Sequence, residues 1–154
     1  MVKLIKKNLK KSYKMNLTKT EVFKKFNQWL TAWNMHDLGG VMDFMHPDIS
    51  FENSDGRIVN GKEMLRKSWM PWFMLHEDFK FFQEDIFFDE QSQKMTFQWR
   101  MEWFPVDYKL KGQNKTIRGV DILEFKEGKI FRKITYSKTA IQIGVTATAG
   151  IHVK

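Results

Sequence analysis

The sequence has no cysteine, few histidines and no long apolar run, and each shortage excludes a class of protein. Without cysteine there is no disulfide framework, no thiolate nucleophile and no cysteine-ligated metal centre. The four histidines lack the spacing of a metal site, so we expect neither a metal nor another cofactor. No run of apolar residues approaches the roughly 18 that cross a bilayer, and the first residues do not resemble a secretory signal. We therefore expect a cytoplasmic protein without a membrane span.

The net charge of +8 is concentrated in the first residues of the chain. Residues 1–14 contain six lysines and no acidic residue, which leaves 20 basic and 18 acidic residues for positions 15–154. Because the remainder is nearly neutral, the charge does not predict a nucleic-acid partner. A lysine-rich tail is usually just solvated, although contact with a membrane surface or a polyanion is a weaker alternative.

The length suits a single domain with one core. We interpret residues 1–15 as a basic tail, residues 16–137 as the domain, and residues 138–154 as a C-terminal extension. Apolar and polar residues alternate in the extension, which indicates a candidate edge strand. The extension could instead cap a pocket or cross to a partner. Met15 is an alternative to Met1 as the natural start.

Two helices are predicted at the start of the domain. Thr18 followed by Glu21 is a capping-box pattern, which marks a helix N-terminus. The residues after it recur at intervals of three and four and form one apolar face: Val22, Phe26, Trp29 and Trp33. Asp37 resembles the N-cap of a short second helix that Pro47 prevents from continuing. A pair of helices therefore opens the domain.

The rest of the domain reads as strands with one further helix. The segment "DISFEN" predicts a short strand, and "KEMLRKSWMPWFML" predicts a helix that Pro71 kinks or divides. Four strands follow in the pattern of an antiparallel meander, the last two joined by the two-residue turn Glu127-Gly128. The clearest of them, "KMTFQWRMEWF", carries aromatic residues on one face. Helices followed by such a meander predict an α+β fold with helices covering one face of a curved sheet.

Asp121 lies in the apolar strand "GVDILEF", and the face that it occupies decides its role. Arg118, Glu124 and Lys126 share one face of this strand, and three charges favour water. Asp121 must then point toward the helices on the opposite face. A dehydrated carboxyl favours its neutral form and would donate a hydrogen bond.

Several segments together resemble the nuclear transport factor 2-like superfamily, and most closely its SnoaL-like branch of polyketide cyclases. The resemblance spans about residues 18–137 and rests on the order and spacing of "WNMHDL", "HPDISFEN", "GKEMLRKSW" and "GVDILEFKEGKI". It implies a cone-shaped α+β barrel, in which N-terminal helices pack into a strongly curved mixed, mostly antiparallel sheet and leave a pocket at the open end. Fold is implied more firmly than activity, because the superfamily hosts many functions.

The resemblance transfers site residues unevenly. Asp121 matches the acidic position that SnoaL-like cyclases use as acid or base and that ketosteroid isomerases use as a protonated oxyanion-hole donor. The isomerase base falls on Asn53, which cannot take up a proton, and its oxyanion-hole tyrosine falls on Trp29, which donates only through Nε1. The usual isomerase chemistry is therefore not expected.

We assign Asp121 as the catalytic residue and predict Trp29, Asn53 and Tyr136 as orienting donors around it. Trp99 belongs to the aromatic stripe that could wall a pocket for a flat apolar ligand. His36 is a further candidate for the pocket mouth, although a histidine between helices is more often a surface or capping residue. Equally, Asp121 could accept hydrogen bonds from Trp29 or Tyr136 and only fix the core.

Three functions remain open. The first is a lyase or isomerase that acts by proton transfer on a small hydrophobic carbonyl compound, and the second is a non-catalytic binder of a small hydrophobic molecule. The third is a protein-interaction module. Val120 and Ile122 on the outer sheet face predict a homodimer, although scattered exposed apolar residues need no such explanation.

Overall fold

The computed structural model of the chain describes residues 16–103 and 115–138 and the backbone of residues 140–143 and 146–149. The predicted basic tail and the loop after Pro105 lie outside these residues. The helices are α1 Lys19–Asn34, α2 Leu38–Asp43 and α3 Lys62–Leu75. The strands are β1 Met45–Glu52, β2 Ile58–Asn60, β3 Lys80–Asp89, β4 Lys94–Trp103, β5 Lys115–Lys126, β6 Lys129–Lys138, β7 Ala140–Ile143 and β8 Thr146–Ala149.

Six strands form one mixed sheet in the order β2-β1-β6-β5-β4-β3. Strands β3 to β6 make the predicted antiparallel meander, and β1 joins it by pairing parallel to β6. The sheet does not close on itself, and the helices cover its concave face. The predicted α+β class and the mostly antiparallel sheet are therefore confirmed.

Helix α1 begins where its capping box predicts. The backbone N–H of Glu21 donates to Thr18 Oγ1, and the backbone N–H of Thr18 donates to Glu21 Oε2 at 2.9 Å. The buried face of the helix holds the four predicted apolar residues. Phe26 reaches Phe97 on the concave sheet, with 4.7 Å between ring centroids. Because a buried side chain of this size contributes about 1.5–3 kcal/mol, the aromatic face fixes the helix against the sheet.

The end of α1 is tied to the start of β3 by side chains that bond to backbone. Asn34 Oδ1 accepts from the N–H of Phe81 at 2.7 Å, and Asn34 Nδ2 donates to the carbonyl of Phe81 at 2.9 Å. His36, at a positive φ of 56°, places its Nε2 at 2.7 Å from the carbonyl oxygen of Phe79. Asp37 then caps α2 by accepting from the N–H of Gly40. These bonds hold the helix over one end of the sheet.

Three details go beyond the sequence prediction. Helix α3 runs through Pro71 as one element, so Pro71 does not divide it, and β2, a strand of three residues, was not predicted. Strands β7 and β8 pair with each other in a separate two-stranded sheet, so the described backbone of the extension does not add an edge strand to the main sheet. Among the described helices, none is both long enough and apolar enough to cross a membrane.

Candidate functional site

A cavity of about 200 Å³ lies between the helices and the concave face of the sheet. Most of its wall is aromatic, and five of the six tryptophans of the chain contribute to it. The lining residues are Trp29, Leu30, Trp33, Phe51, Asn53, Trp69, Trp72, Phe81, Phe97, Trp99, Met101, Asp121, Lys133 and Thr135. Only four of these residues carry a polar side chain other than an indole, so the cavity is apolar with one polar corner.

Asp121 forms that corner together with a lysine. Its side chain faces the helices as the charge pattern of β5 predicts, and the residue is only 4% exposed. Asp121 Oδ2 lies 2.5 Å from Lys133 Nζ, and both side chains are buried. The isolated carboxyl expected from the sequence is thus one half of a buried ion pair.

Lys133 is held by three groups. Its Nζ donates to Thr135 Oγ1 at 2.6 Å, contacts Asp121, and lies 5.2 Å from the centre of the Phe51 ring. Removal of the ammonium from water lowers the pKa of Lys133, and the nearby Asp121 carboxylate partly opposes this effect. The site therefore contains an amine that gives up its proton more readily than an exposed lysine.

A β-bulge in β6 brings Lys133 and Thr135 to the inner face. The pairing of β5 with β6 shifts register between Glu124, which faces Arg132, and Phe125, which faces Ile130. One extra residue in β6 reverses the alternation beyond it. A regular strand counted from Ile130 would point Tyr136 inward, whereas the bulged strand points it outward.

Tyr136 is consequently not a pocket donor. It is 54% exposed and lines a groove on the outer face with Arg118, Val120 and Glu84. This groove is larger than the inner cavity, at about 340 Å³, but it lies on the convex surface away from the aromatic wall. The predicted inward position of Tyr136 is wrong because of the bulge. The polar residues of β6 that line the cavity are Lys133 and Thr135 instead.

His36 is also not among the residues that line the cavity. Its ring packs against Phe79 with 4.4 Å between centroids, and its Nε2 is engaged by a backbone carbonyl. The side chain of Asp37 caps α2 and does not pair with His36. His36 thus fixes the junction between α1 and β3, which is the structural role left open in the sequence.

Three buried polar atoms at the cavity have no hydrogen-bond partner within the described residues. They are Nε1 of Trp29, Nε1 of Trp99 and Oδ1 of Asp121. Buried polar groups are nearly always hydrogen-bonded, so each such atom calls for an explanation. All three atoms belong to residues that line one cavity, so they are candidate partners for a ligand that carries both an acceptor and a hydrogen to donate.

Gly119 allows one wall of the cavity to form. It pairs with Trp99 across β4 and β5. A Cβ at this position would overlap the Trp99 indole and would lie 2.5 Å from the carbonyl oxygen of Tyr136. The indole therefore packs over bare backbone, and this position keeps Trp99 flat along the cavity wall.

Within the part of the chain that the structure describes, no group of three histidine or acidic side chains is arranged to hold a metal ion. The chemistry of the polar corner is that of a carboxylate, an amine, a hydroxyl and the amide of Asn53. These groups can move or share protons and can donate hydrogen bonds to an oxygen. The aromatic wall excludes water and strengthens such interactions.

The architecture and its pocket define a nuclear transport factor 2-like domain. A nuclear transport factor 2-like protein of unknown function from Mesorhizobium loti superposes with a TM-score of 0.63 at 16% identity, covering 78% of this chain and 93% of that one. AusH from Aspergillus nidulans gives 0.68 at 15% identity, covering 82% and 89%. A candidate polyketide cyclase from Xanthomonas campestris pv. campestris gives 0.60 at 14% identity, covering 76% and 90%.

Residues 26–133 match the family model of the SnoaL-like domain, and the chain belongs to that family. The matched range lies inside the predicted domain and includes both Asp121 and Lys133. A search of the curated proteins gives no match. The resemblance stated from the sequence is therefore confirmed at the level of family and fold.

Proposed function

We propose that the cavity binds a small, flat, hydrophobic carbonyl compound and that Asp121 and Lys133 transfer a proton on it, as in a lyase or isomerase. The single observation that carries this proposal is the unpartnered, buried Oδ1 of Asp121 beside a buried ammonium in an aromatic cavity. The similarity in fold to a candidate polyketide cyclase supports a substrate with carbonyl groups.

The size and wall of the cavity support the ligand class. An apolar cavity of about 150 Å³ is enough for benzene, so about 200 Å³ takes one ring with a substituent or a compact two-ring molecule. Indole and phenyl faces stack on flat apolar rings. The ligand is thus smaller than a drug-sized molecule, whose pocket is usually about 300 Å³ or larger.

The proposed reaction begins at Asp121. Its Oδ1 accepts a proton from the carbon next to the carbonyl, the C–H electron pair forms a C=C bond, and the carbonyl oxygen becomes an enolate. The ammonium of Lys133 and the Nε1 donors of Trp29 and Trp99 stabilise that oxygen. Return of the proton to a different carbon gives an isomer, and loss of a leaving group next to the carbanion gives a lyase product.

The test is exchange of the protons next to the carbonyl of 2-indanone, a flat two-ring ketone, followed by NMR in deuterated water. We expect the wild-type protein to accelerate the exchange. An Asp121→Asn variant should lose about 10²–10⁴-fold of the acceleration, which is the usual contribution of a general base. Gln98→Ala, on the outer sheet face, is the matched control. An Asp121→Asn variant as fast as wild type would remove Asp121 from the mechanism.

The ion pair favours a second candidate, a non-catalytic binder. Asp121 Oδ2 and Lys133 satisfy each other, as a pair that only fixes the core would do. In that case 2-indanone should bind, with heat detected by titration calorimetry, but its protons should exchange no faster than in buffer. The same experiment thus separates the two candidates.

Two further parts of the proposal concern the setting of the domain. We propose that two copies pair through the outer sheet face around Val120 and Ile122, where Tyr136 adds a half-exposed ring.

We also propose that the protein is located in the cytoplasm, which cell fractionation with a specific antibody would test. A protein recovered in the periplasmic or secreted fraction would contradict it.

A further inference from the structure

Lys133 brings a primary amine to the wall of the cavity. It is the only amine among the described residues that line the cavity, and the residue is 6% exposed. Its Nζ is fixed between Asp121 Oδ2 and Thr135 Oγ1, at 2.5 and 2.6 Å. In the proposed proton transfer to Asp121, the positive charge of this amine only stabilises the enolate oxygen. The amine has no role there as a nucleophile.

The surroundings of Lys133 favour nucleophilic chemistry. An amine attacks only in its neutral form, and burial lowers the pKa of Lys133 while the Asp121 carboxylate opposes the change. Desolvated lysines in apolar pockets are the ones that form Schiff bases with carbonyl compounds. Lys94, by contrast, is half exposed and paired with Glu124 at the sheet surface.

We propose that Lys133 captures small aromatic aldehydes and ketones as Schiff bases, with Asp121 as the proton carrier. This inference rests on the proposed carbonyl-binding function of the cavity and names the bond that the ligand forms there. It assigns Lys133 a covalent role in addition to its charge.

The proton and electron balance of this step closes within the pair. Asp121 takes one proton from the Lys133 ammonium, and the amine lone pair forms a bond to the carbonyl carbon. Asp121 returns that proton to the carbonyl oxygen, then takes a proton from the nitrogen and passes it to the hydroxyl, which leaves as water. The products are a protonated imine and water, and the Asp121 carboxylate is regenerated.

Formation of the imine leaves the charge at Lys133 unchanged. A protonated imine carries the same single positive charge as the original ammonium, so the Asp121 carboxylate retains a partner at every stable stage. A buried charge left without a partner would be costly, and the imine avoids that cost. An aromatic ligand that fills the cavity also displaces water that would hydrolyse the imine.

The test uses benzaldehyde, which has no proton next to its carbonyl and so cannot undergo the proposed proton transfer. The full-length protein is incubated with benzaldehyde and examined by native mass spectrometry, and a second sample is reduced with cyanoborohydride and mapped by peptide sequencing. We expect a complex lighter than protein plus benzaldehyde by one water, and a benzylated Lys133 after reduction. At neutral pH, Lys133 should react faster than exposed lysines, because a larger fraction of its amine is neutral.

Matched variants separate the amine from the fold. Lys133→Met and Lys133→Arg should both lose the adduct at this position, and the arginine variant keeps a positive charge beside Asp121. Lys94→Met, the same exchange at an exposed site, should retain it. If either variant fails to fold, the peptide map of the reduced wild-type protein still shows whether Lys133 is benzylated.

The remaining outcomes are decisive as well. A complex of full benzaldehyde mass with no benzylated Lys133 would overturn this inference and leave the proposed binding function intact. No complex of either mass would overturn both. Labelling of Lys133 no faster than of Lys94 would also overturn the inference, since the pocket would then confer no reactivity.

Discussion

Asp121 and Lys133 form a buried pair of opposite charges among aromatic neighbours. Attraction between them is strong at 2.5 Å, but both charges have lost the water that would otherwise solvate them. Such a pair adds little net stability compared with neutral residues, whereas one member left alone is strongly destabilising. Stability alone therefore does not account for a buried ion pair at the wall of this cavity.

We expect Lys133→Met to lower the free energy of unfolding by about 3–5 kcal/mol, because it leaves the Asp121 carboxylate buried without a counter-charge. The double variant Asp121→Asn with Lys133→Met should recover most of this loss. Urea unfolding followed by circular dichroism measures both. Lys94→Met, which breaks only an exposed pair, should change stability by less than about 1 kcal/mol. A double variant as unstable as the single one would show that the pair itself, not the orphaned charge, is what stabilises the fold.

The sequence predicted one member of this pair and missed the other for a physical reason. Three charges on one face of β5 require Asp121 to point inward, and that inference needs only regular alternation. Lys133 follows a bulge, and a bulge has no reliable signature in "KIFRKITY" because it depends on the pairing with β5. A lysine in a strand is also expected to face water. The same bulge explains the wrong inward assignment of Tyr136.

At the level of elements, local pattern was enough for most of the fold. The capping box, the aromatic face of α1 and the two-residue turn at Glu127 and Gly128 are local features, and all appear where predicted. The parallel pairing of β1 with β6 and the three-residue β2 are not local. Their positions depend on contacts between distant segments, which no periodicity in a single sequence records.

The junction of α1 with β3 gives a prediction at this scale. The side chain of Asn34 satisfies both the N–H and the carbonyl of Phe81, a residue of the cavity wall. Asn34→Ala should lower the free energy of unfolding by about 1–3 kcal/mol, because two partly buried backbone groups lose their partner. It should also weaken binding of 2-indanone, since β3 is then free to move away from α1.

Chemical denaturation and titration calorimetry measure the two effects of the Asn34 change. Asn27→Ala is the matched control, because Asn27 is exposed on the same helix and accepts from the Thr31 hydroxyl through its backbone carbonyl, which the substitution keeps. Equal stability of the two alanine variants would mean that the bonds to Phe81 contribute nothing beyond those that water provides.

For the whole molecule, Lys133 predicts how stability depends on pH. Its pKa is lowered from the ordinary 10.5 chiefly by burial, with Asp121 opposing. Between the lowered pKa and 10.5 the unfolded chain binds a proton at Lys133 that the folded chain does not. The free energy of unfolding contributed by this lysine therefore rises with pH across that interval.

The comparison is between wild type and the Asp121→Asn with Lys133→Met double variant, unfolded in urea at a series of pH values. We expect the difference in free energy of unfolding to shift in favour of wild type as the pH approaches 10.5, and to level off above it. A difference that is constant over the alkaline range would show that Lys133 titrates alike in the folded and unfolded chains.

Assembly is the second property at this scale. A stable dimer buries about 1,200–2,000 Å² in total, and the proposed interface is the outer face of the sheet around Val120 and Ile122. Ile122→Lys should convert the proposed dimer to a monomer, because the interface would have to bury an unpaired ammonium. Sedimentation velocity measures this, with Ile58→Lys, the same exchange at an exposed position of β2, as the control. A wild-type protein that sediments as a monomer would refute the pairing.

Five of the six indoles of the chain line one cavity, and the sixth, Trp103, packs edge to face against the lining residue Trp72, with 5.8 Å between ring centroids. Nearly all of the intrinsic ultraviolet fluorescence of the protein therefore originates within a few ångströms of the site. A flat ring that enters should quench or shift this emission by energy transfer. Unlabelled fragment collections can thus be screened by their optical effect alone, and the chain serves as its own sensor for any molecule that enters the cavity.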